Sequence, residues 1–252
     1  MGRVRHAEHV MGTVVSFDVP SAAQDDGALA AAVRWLHWVD ATFSTYQADS
    51  EVSRLGRGEV TVAECAPEVA GVLAACDALH QQSGGYFTAY PAGALDPSGY
   101  VKGWAVERAA QIITEAGSTA HTVNGGGDVQ CVGARPDAAS WRIGISSPVH
   151  PGTLALVVTG QDFAVATSGV AERGAHIVDP VAGRAAVGLA SVTIVGPSLT
   201  LADAYATAAF AMGPSRARQW TREALDGYEA CAILPDGTTW RTPGFAAYLP
   251  AN

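Results

Sequence analysis

The sequence predicts an α+β fold with largely antiparallel sheets flanked by helices. Three observations carry this. Short β-rich runs follow one another as hairpin-like neighbours, helical-period stretches lie among them, and no Pro/Gly/Ser-rich linker interrupts the chain. The 252 residues are 48% hydrophobic and 15% charged with a mean hydropathy of +0.15, too apolar and too weakly charged for disorder. A chain of this length buries roughly 70% of its unfolded surface. Residues 1–252 are therefore expected to form one compact domain.

The elements follow in order. Residues 13–19 place Val15, Phe17 and Val19 on one face, a strand pattern, and 25–40 carry Leu29, Val33 and Leu36 at helical spacing. Pro67, a favoured first helical residue, opens a helix over 67–82 whose stripe is Val69, Val72, Leu73, Cys76 and Leu79 and which Gly84-Gly85 ends. A helix over 100–116 has Ser98 as a cap and is closed by Gly117. Strands are expected at 121–124, 128–132, 141–145, 154–158, 163–167, 191–195 and 230–234. Helices at 201–212 and 215–226 are split by Gly213-Pro214.

Charge narrows the function. Fifteen basic against 24 acidic residues give a net charge of −9 and a pI near 5.1, which argues against nucleic-acid binding or an anionic-membrane anchor. An anionic ligand would then need a local device: a metal, a glycine nest or a single lysine. No run of about 18 apolar residues predicts a membrane segment, and no signal peptide or lipobox is visible, so the expected location is cytoplasmic. The four cysteines form no C-x-x-C pair and read as reduced core thiols rather than a zinc or disulfide framework.

Four clusters could carry chemistry. Lys102, the only lysine, lies in Asp96-Pro97-Ser98-Gly99-Tyr100-Val101-Lys102-Gly103-Trp104 at a helix start, either as a surface residue or as a cation near a phosphate or buried carboxylate. Asn124-Gly125-Gly126-Gly127-Asp128 is either a tight hairpin or a backbone cradle for phosphate or a flat ring. Thr167-Ser168-Gly169 precedes His176-Ile177-Val178-Asp179-Pro180. There His176 is a general base, a ligand-orienting group or a structural histidine, and the lack of G-x-S-x-G argues against a serine hydrolase. Asp203 and Thr207 stand at i and i+4 with small neighbours, a pair of oxygen donors suited to Mg²⁺, or an exposed acid beside a threonine bonded back to its own helix.

Taken together these pieces resemble the ApbE family of FAD:protein FMN transferases. The resemblance runs from about residue 9 to residue 213, in family order. Its motifs are Met11-Gly12-Thr13; Phe43-Ser44-Thr45-Tyr46 with Asp49-Ser50-Glu51-Val52-Ser53-Arg54-Leu55; Asp96 to Trp104; Gly126-Gly127-Asp128; Thr167-Ser168-Gly169; His176 to Pro180; and Ala202-Asp203-Ala204 with Thr207.

The resemblance implies a compact unit with T-fold-like repeats that cleaves FAD at its diphosphate and joins FMN through a phosphoester to a threonine or serine of an acceptor protein, releasing AMP. It further implies that Met11, Tyr46, Tyr86, Phe87, Thr88, Asp96, Lys102 and Ile177 meet FAD. Mg²⁺ would be held by Asp203, Thr207 and the Gly99 carbonyl, and His176 would serve as base at the acceptor hydroxyl. Thr88 stands where the family usually has aspartate, and the segment from there to Asp96 is short. Two alternatives use the same cradle: an FAD pyrophosphatase yielding FMN and AMP, and a non-catalytic FAD-binding protein.

Overall fold

The structure, a computed structural model, describes residues 2–135, 138–170 and 177–250. The chain opens with a hairpin of β1 (Arg3–Val10) and β2 (Thr13–Pro20), then α1 (Ser21–Asp25), α2 (Ala28–Phe43), α3 (Glu51–Gly56), α4 (Pro67–Gln82) and α5 (Ser98–Glu115). Five strands follow: β3 (His121–Gly125), β4 (Asp128–Val132), β5 (Trp141–Ser146), β6 (Leu154–Gly160) and β7 (Phe163–Gly169). Then come β8 (Val178–Asp179), β9 (Arg184–Ala185), β10 (Ser191–Gly196), α6 (Leu199–Glu223), β11 (Glu229–Ile233) and β12 (Thr239–Arg241).

Eight strands form one sheet in the order β1-β2-β3-β4-β7-β10-β11-β12, and every neighbouring pair is antiparallel. Two-residue periodicity makes this sheet serve two cores. Ala164 and Ala166 of β7, Val192 and Ile194 of β10, and Ala230 and Ala232 of β11 face the helices. Val165, Val195 and Cys231, offset by one residue on the same strands, meet Trp141, Ile145 and Val158 of the β5–β6 hairpin and Phe245 near the C-terminus. Covered on both faces, β10 is buried at all six positions.

All eight expected strands form, each within two residues of its predicted limits. Others differ for identifiable reasons. The N-terminal polar stretch is an edge strand, β1, whose half-buried positions include the polar His6 and Glu8, so no apolar alternation shows. The helix expected at 25–40 starts at Ala28, after Gly27 at φ +81°, and runs on to Phe43. Ser98 is the first residue of α5 rather than its cap, and the Asp96 carboxylate accepts its N–H at 3.0 Å. The two expected C-terminal helices abut as α6, which Gly213 breaks at φ +69° and ψ 175° just before Pro214. Cys76, Cys131 and Cys231 are buried free thiols, but Cys65 is only half-buried, lying just before α4 rather than on its inner stripe.

Candidate active site

The glycine run folds as a tight hairpin. Gly125 pairs with Asp128, leaving Gly126 and Gly127 as a two-residue turn at φ +61° and +98°. The Gly126 N–H donates to the Val14 carbonyl at 3.2 Å and the Gly127 N–H to Asn124 Oδ1 at 2.9 Å, so these amides bind the protein itself rather than a phosphate. Gly125 serves close approach: a Cβ there would lie 2.5 Å from Val106 of α5. The Met11-Gly12 turn of the first hairpin lies at the same end of the sheet, with non-glycine Met11 held at φ +54°. Such a conformation in a non-glycine residue is uncommon and marks a position worth functional scrutiny.

Helices α5 and α6 pack closely beside this edge. A Cβ on Gly103 would fall 2.7 Å from the Leu199 carbonyl and 2.8 Å from Asp203 Cβ, and one on Gly99 would lie 3.4 Å from both Phe87 and Thr207. Glu107 of α5 fastens the start of α6, accepting from the Ser198 hydroxyl at 2.6 Å, the Thr200 N–H at 2.8 Å and the Thr200 hydroxyl at 2.6 Å. Inside that clamp Lys102 pairs with Asp128 and stands 3.1 Å from Asp203 Oδ2, and both carboxylates are buried. Asp128 Oδ1 also accepts the Thr167 N–H at 2.8 Å, which ties β7 to the cluster. Ser168 Oγ lies 3.5 Å from Thr207 Oγ1.

The donor set fits a hard dication. Asp203 contributes a carboxylate, Thr207 a hydroxyl one turn on, and Gly99 a carbonyl whose residue abuts Thr207. The Gly103 N–H of α5 donates to Asp203 Oδ2 at 3.0 Å, which fixes that carboxylate against the start of α5. Among the described residues two buried acids, Asp128 and Asp203, face one lysine, a balance that favours a further cation. Among the described residues no group of three or more His, Cys, Asp or Glu could hold a metal ion, so the site would depend on the hydroxyl and carbonyl beside Asp203.

Of the other residues singled out in the sequence, Phe87 is buried against Gly99, and Tyr86 lies under the Arg216 guanidinium, 5.1 Å from its ring centre. Arg216 and Arg184 flank a cleft of about 370 Å³ also lined by Asp179, Val187, Met212 and Ser215. Ile177 packs on the main core and its carbonyl accepts the Ala186 N–H at 2.9 Å. Thr88 accepts the Tyr90 N–H at 3.0 Å. Tyr46 projects into solvent, 96% exposed. His176 lies outside the described residues. Sequence reasoning gave no role to Asp128 or Ser168; the available signal was an acid directly after a glycine turn and a hydroxyl pair before a glycine.

The model of the ApbE family matches residues 11–91 and 88–232. The chain belongs to the ApbE family. A relative from Escherichia coli K12 named FAD:protein FMN transferase is 27% identical over 168 residues, covering 62% of this chain and 47% of that protein. One of the same name from Rhodobacter capsulatus is 34% identical over 174 residues, covering 64% of this chain and 32% of that protein. The chain thus spans about half or less of the length of these ApbE relatives. Among solved structures, the ApbE protein of Thermotoga maritima superposes with a TM-score of 0.88 at 22% identity, covering 99% of this chain and 100% of that one. The flavin transferase ApbE from Vibrio cholerae superposes at 0.85 and 23% identity, covering 98% of this chain and 99% of that one. At those identities the likeness establishes the ApbE fold.

Proposed function

We propose that this chain transfers the FMN moiety of FAD to a threonine or serine hydroxyl of an acceptor protein, with Mg²⁺ and with release of AMP. The observation that carries this is the convergence of Gly99, Lys102, Asp203 and Thr207 from two helices locked together by glycine contacts. Family relatives named for FAD:protein FMN transfer supply the substrate class.

Asp203, Thr207 and the Gly99 carbonyl would hold Mg²⁺, which when bound supplies charge neutralisation at the FAD diphosphate. Lys102 adds the one ammonium of the chain beside that position. Met11, Tyr46, Tyr86, Phe87, Thr88, Asp96 and Ile177 are proposed to line the FAD site. The half-buried Asp96 carboxylate also fixes the first turn of α5, and with it the place of Gly99. In the reaction the acceptor oxygen forms a bond to the FMN phosphorus as the bond to the AMP phosphate breaks. AMP departs with that electron pair, and the hydroxyl proton goes to His176, the proposed base.

The test is incubation with FAD and Mg²⁺, with and without an acceptor protein, following AMP release and covalent flavin. Covalent flavin that depends on both Mg²⁺ and acceptor is expected, and Asp203→Ala should abolish it. AMP release at the same rate without acceptor would make the chain a pyrophosphatase, and FAD retention without AMP would make it a binding protein.

A further inference from the structure

Resting on the metal assignment proposed above, we propose that Asp128 is a positioning residue: its buried carboxylate shares the Lys102 ammonium with Asp203 and so keeps Asp203 available to a divalent cation. Asp128 is 3% exposed and is fixed at both oxygens, Oδ1 by the Thr167 N–H at 2.8 Å and Oδ2 by Lys102. Asp203 Oδ2 takes the Gly103 N–H at 3.0 Å and stands 3.1 Å from the same ammonium. A lysine with Asp203 as its single carboxylate partner would be a built-in competitor for the cation. A second buried acid on the opposite element changes that balance, because Lys102 is satisfied without full engagement of Asp203. The carboxylate is carried by β4 directly after the Gly126-Gly127 turn, so the hairpin's function is to deliver this charge to the start of α5.

Charge counting yields a sharp test. The three groups sum to −1 in the native chain, to 0 in Asp128→Asn, and to −1 again in Asp128→Asn combined with Lys102→Met. Mg²⁺ binding to the FAD-free protein, followed by titration calorimetry, should weaken roughly tenfold in Asp128→Asn, since a unit charge a few ångströms away is worth at least that much in a partly buried site. It should return to within about threefold of native in the double variant, where Lys102 no longer competes for Asp203. Melting temperatures measured on the same samples confirm folding; should the single variant not fold, the double variant against native decides alone. An Asp128 that bound the cation itself, or that served only to hold β4, would leave the double variant as weak as the single one, and that result overturns the proposal. So does unchanged binding in Asp128→Asn. Native protein that binds Mg²⁺ but transfers no FMN would sink the proposed activity and leave this inference standing. Native protein that binds no Mg²⁺ would overturn both.

Discussion

The Lys102 side chain is 26% exposed, whereas the Asp128 and Asp203 side chains it meets are 4% and 5% exposed. A ligand-facing lysine would contribute little to folding, but removing this one leaves two buried carboxylates with their shared cation gone. Lys102→Met should therefore lower unfolding free energy by about 2–4 kcal/mol in urea titrations, less than a fully buried pair would lose because water reaches the ammonium. His121 shows burial acting on one imidazole. It is fully buried; its Nε2–H donates to the Ala110 carbonyl at 3.0 Å and its Nδ1 accepts from Ser118 Oγ at 2.9 Å, and burial brings its pKa down to about 4. The unfolded chain binds that proton near pH 6.5, so the contribution is complete above this pH and is lost as pH falls toward 4. About 3 kcal/mol should disappear over that window, and His121→Gln should show a flatter acid limb in urea titrations at pH 7 and pH 4.5. Burial raises the pKa of all four thiols, Cys76 to about 12, but Cys76, Cys131 and Cys231 are buried and only Cys65 is partly open to solvent. A soluble disulfide reagent should therefore titrate Cys65 alone in native protein and all four cysteines in denaturant.

At the scale of elements, the α5–α6 contact decides whether the site exists. Gly103→Ala would force a methyl against the Leu199 carbonyl and the Asp203 stem, neither of which can rotate away, so roughly 1–3 kcal/mol of stability should be lost together with Mg²⁺ binding. Gly71 on the outer face of α4 meets nothing within 4 Å, and Gly71→Ala should raise stability by about 0.5–1 kcal/mol through helix propensity. Thermal melts of the two variants separate a glycine kept for space from one that is not. The motif from Phe43 to Leu55 shows why a sequence signature can be architectural. The Ser44 carbonyl accepts from the Ser50 hydroxyl at 2.6 Å and the Ser53 hydroxyl at 3.1 Å, while Ser50 caps α3.

For the whole molecule, one sheet carries two cores, and no helix among the described residues is long and apolar enough to cross a membrane. Val165 and Val195 on one face are chain neighbours of Ala164, Ala166 and Ile194 on the other, so neither core can loosen without displacing the strands of the other. Unfolding should accordingly be a single transition. Trp35, Trp38 and Trp104 report on the helical side and Trp141 on the other. Tryptophan fluorescence of native protein and of Trp141→Phe should give midpoints that match far-UV circular dichroism within each protein. A separate fluorescence phase present only when Trp141 is intact would show that the β5–β6 core melts alone.

Local pattern by itself determined the element types: alternation in Val15, Phe17 and Val19, the stripe from Val69 to Leu79, the Gly126-Gly127 turn and the Gly213-Pro214 break are all short-range signals. The ordered motifs likewise carried the family, and the i, i+4 spacing placed Asp203 and Thr207 on one face of a helix. Only the tertiary structure decided which acid Lys102 meets. Asp96, six residues away, caps α5 instead, whereas Asp128 and Asp203, 26 and 101 residues along the chain, reach the ammonium. Partners that distant are chosen by how strands and helices stack, and the spacing of residues along one element holds no record of that choice.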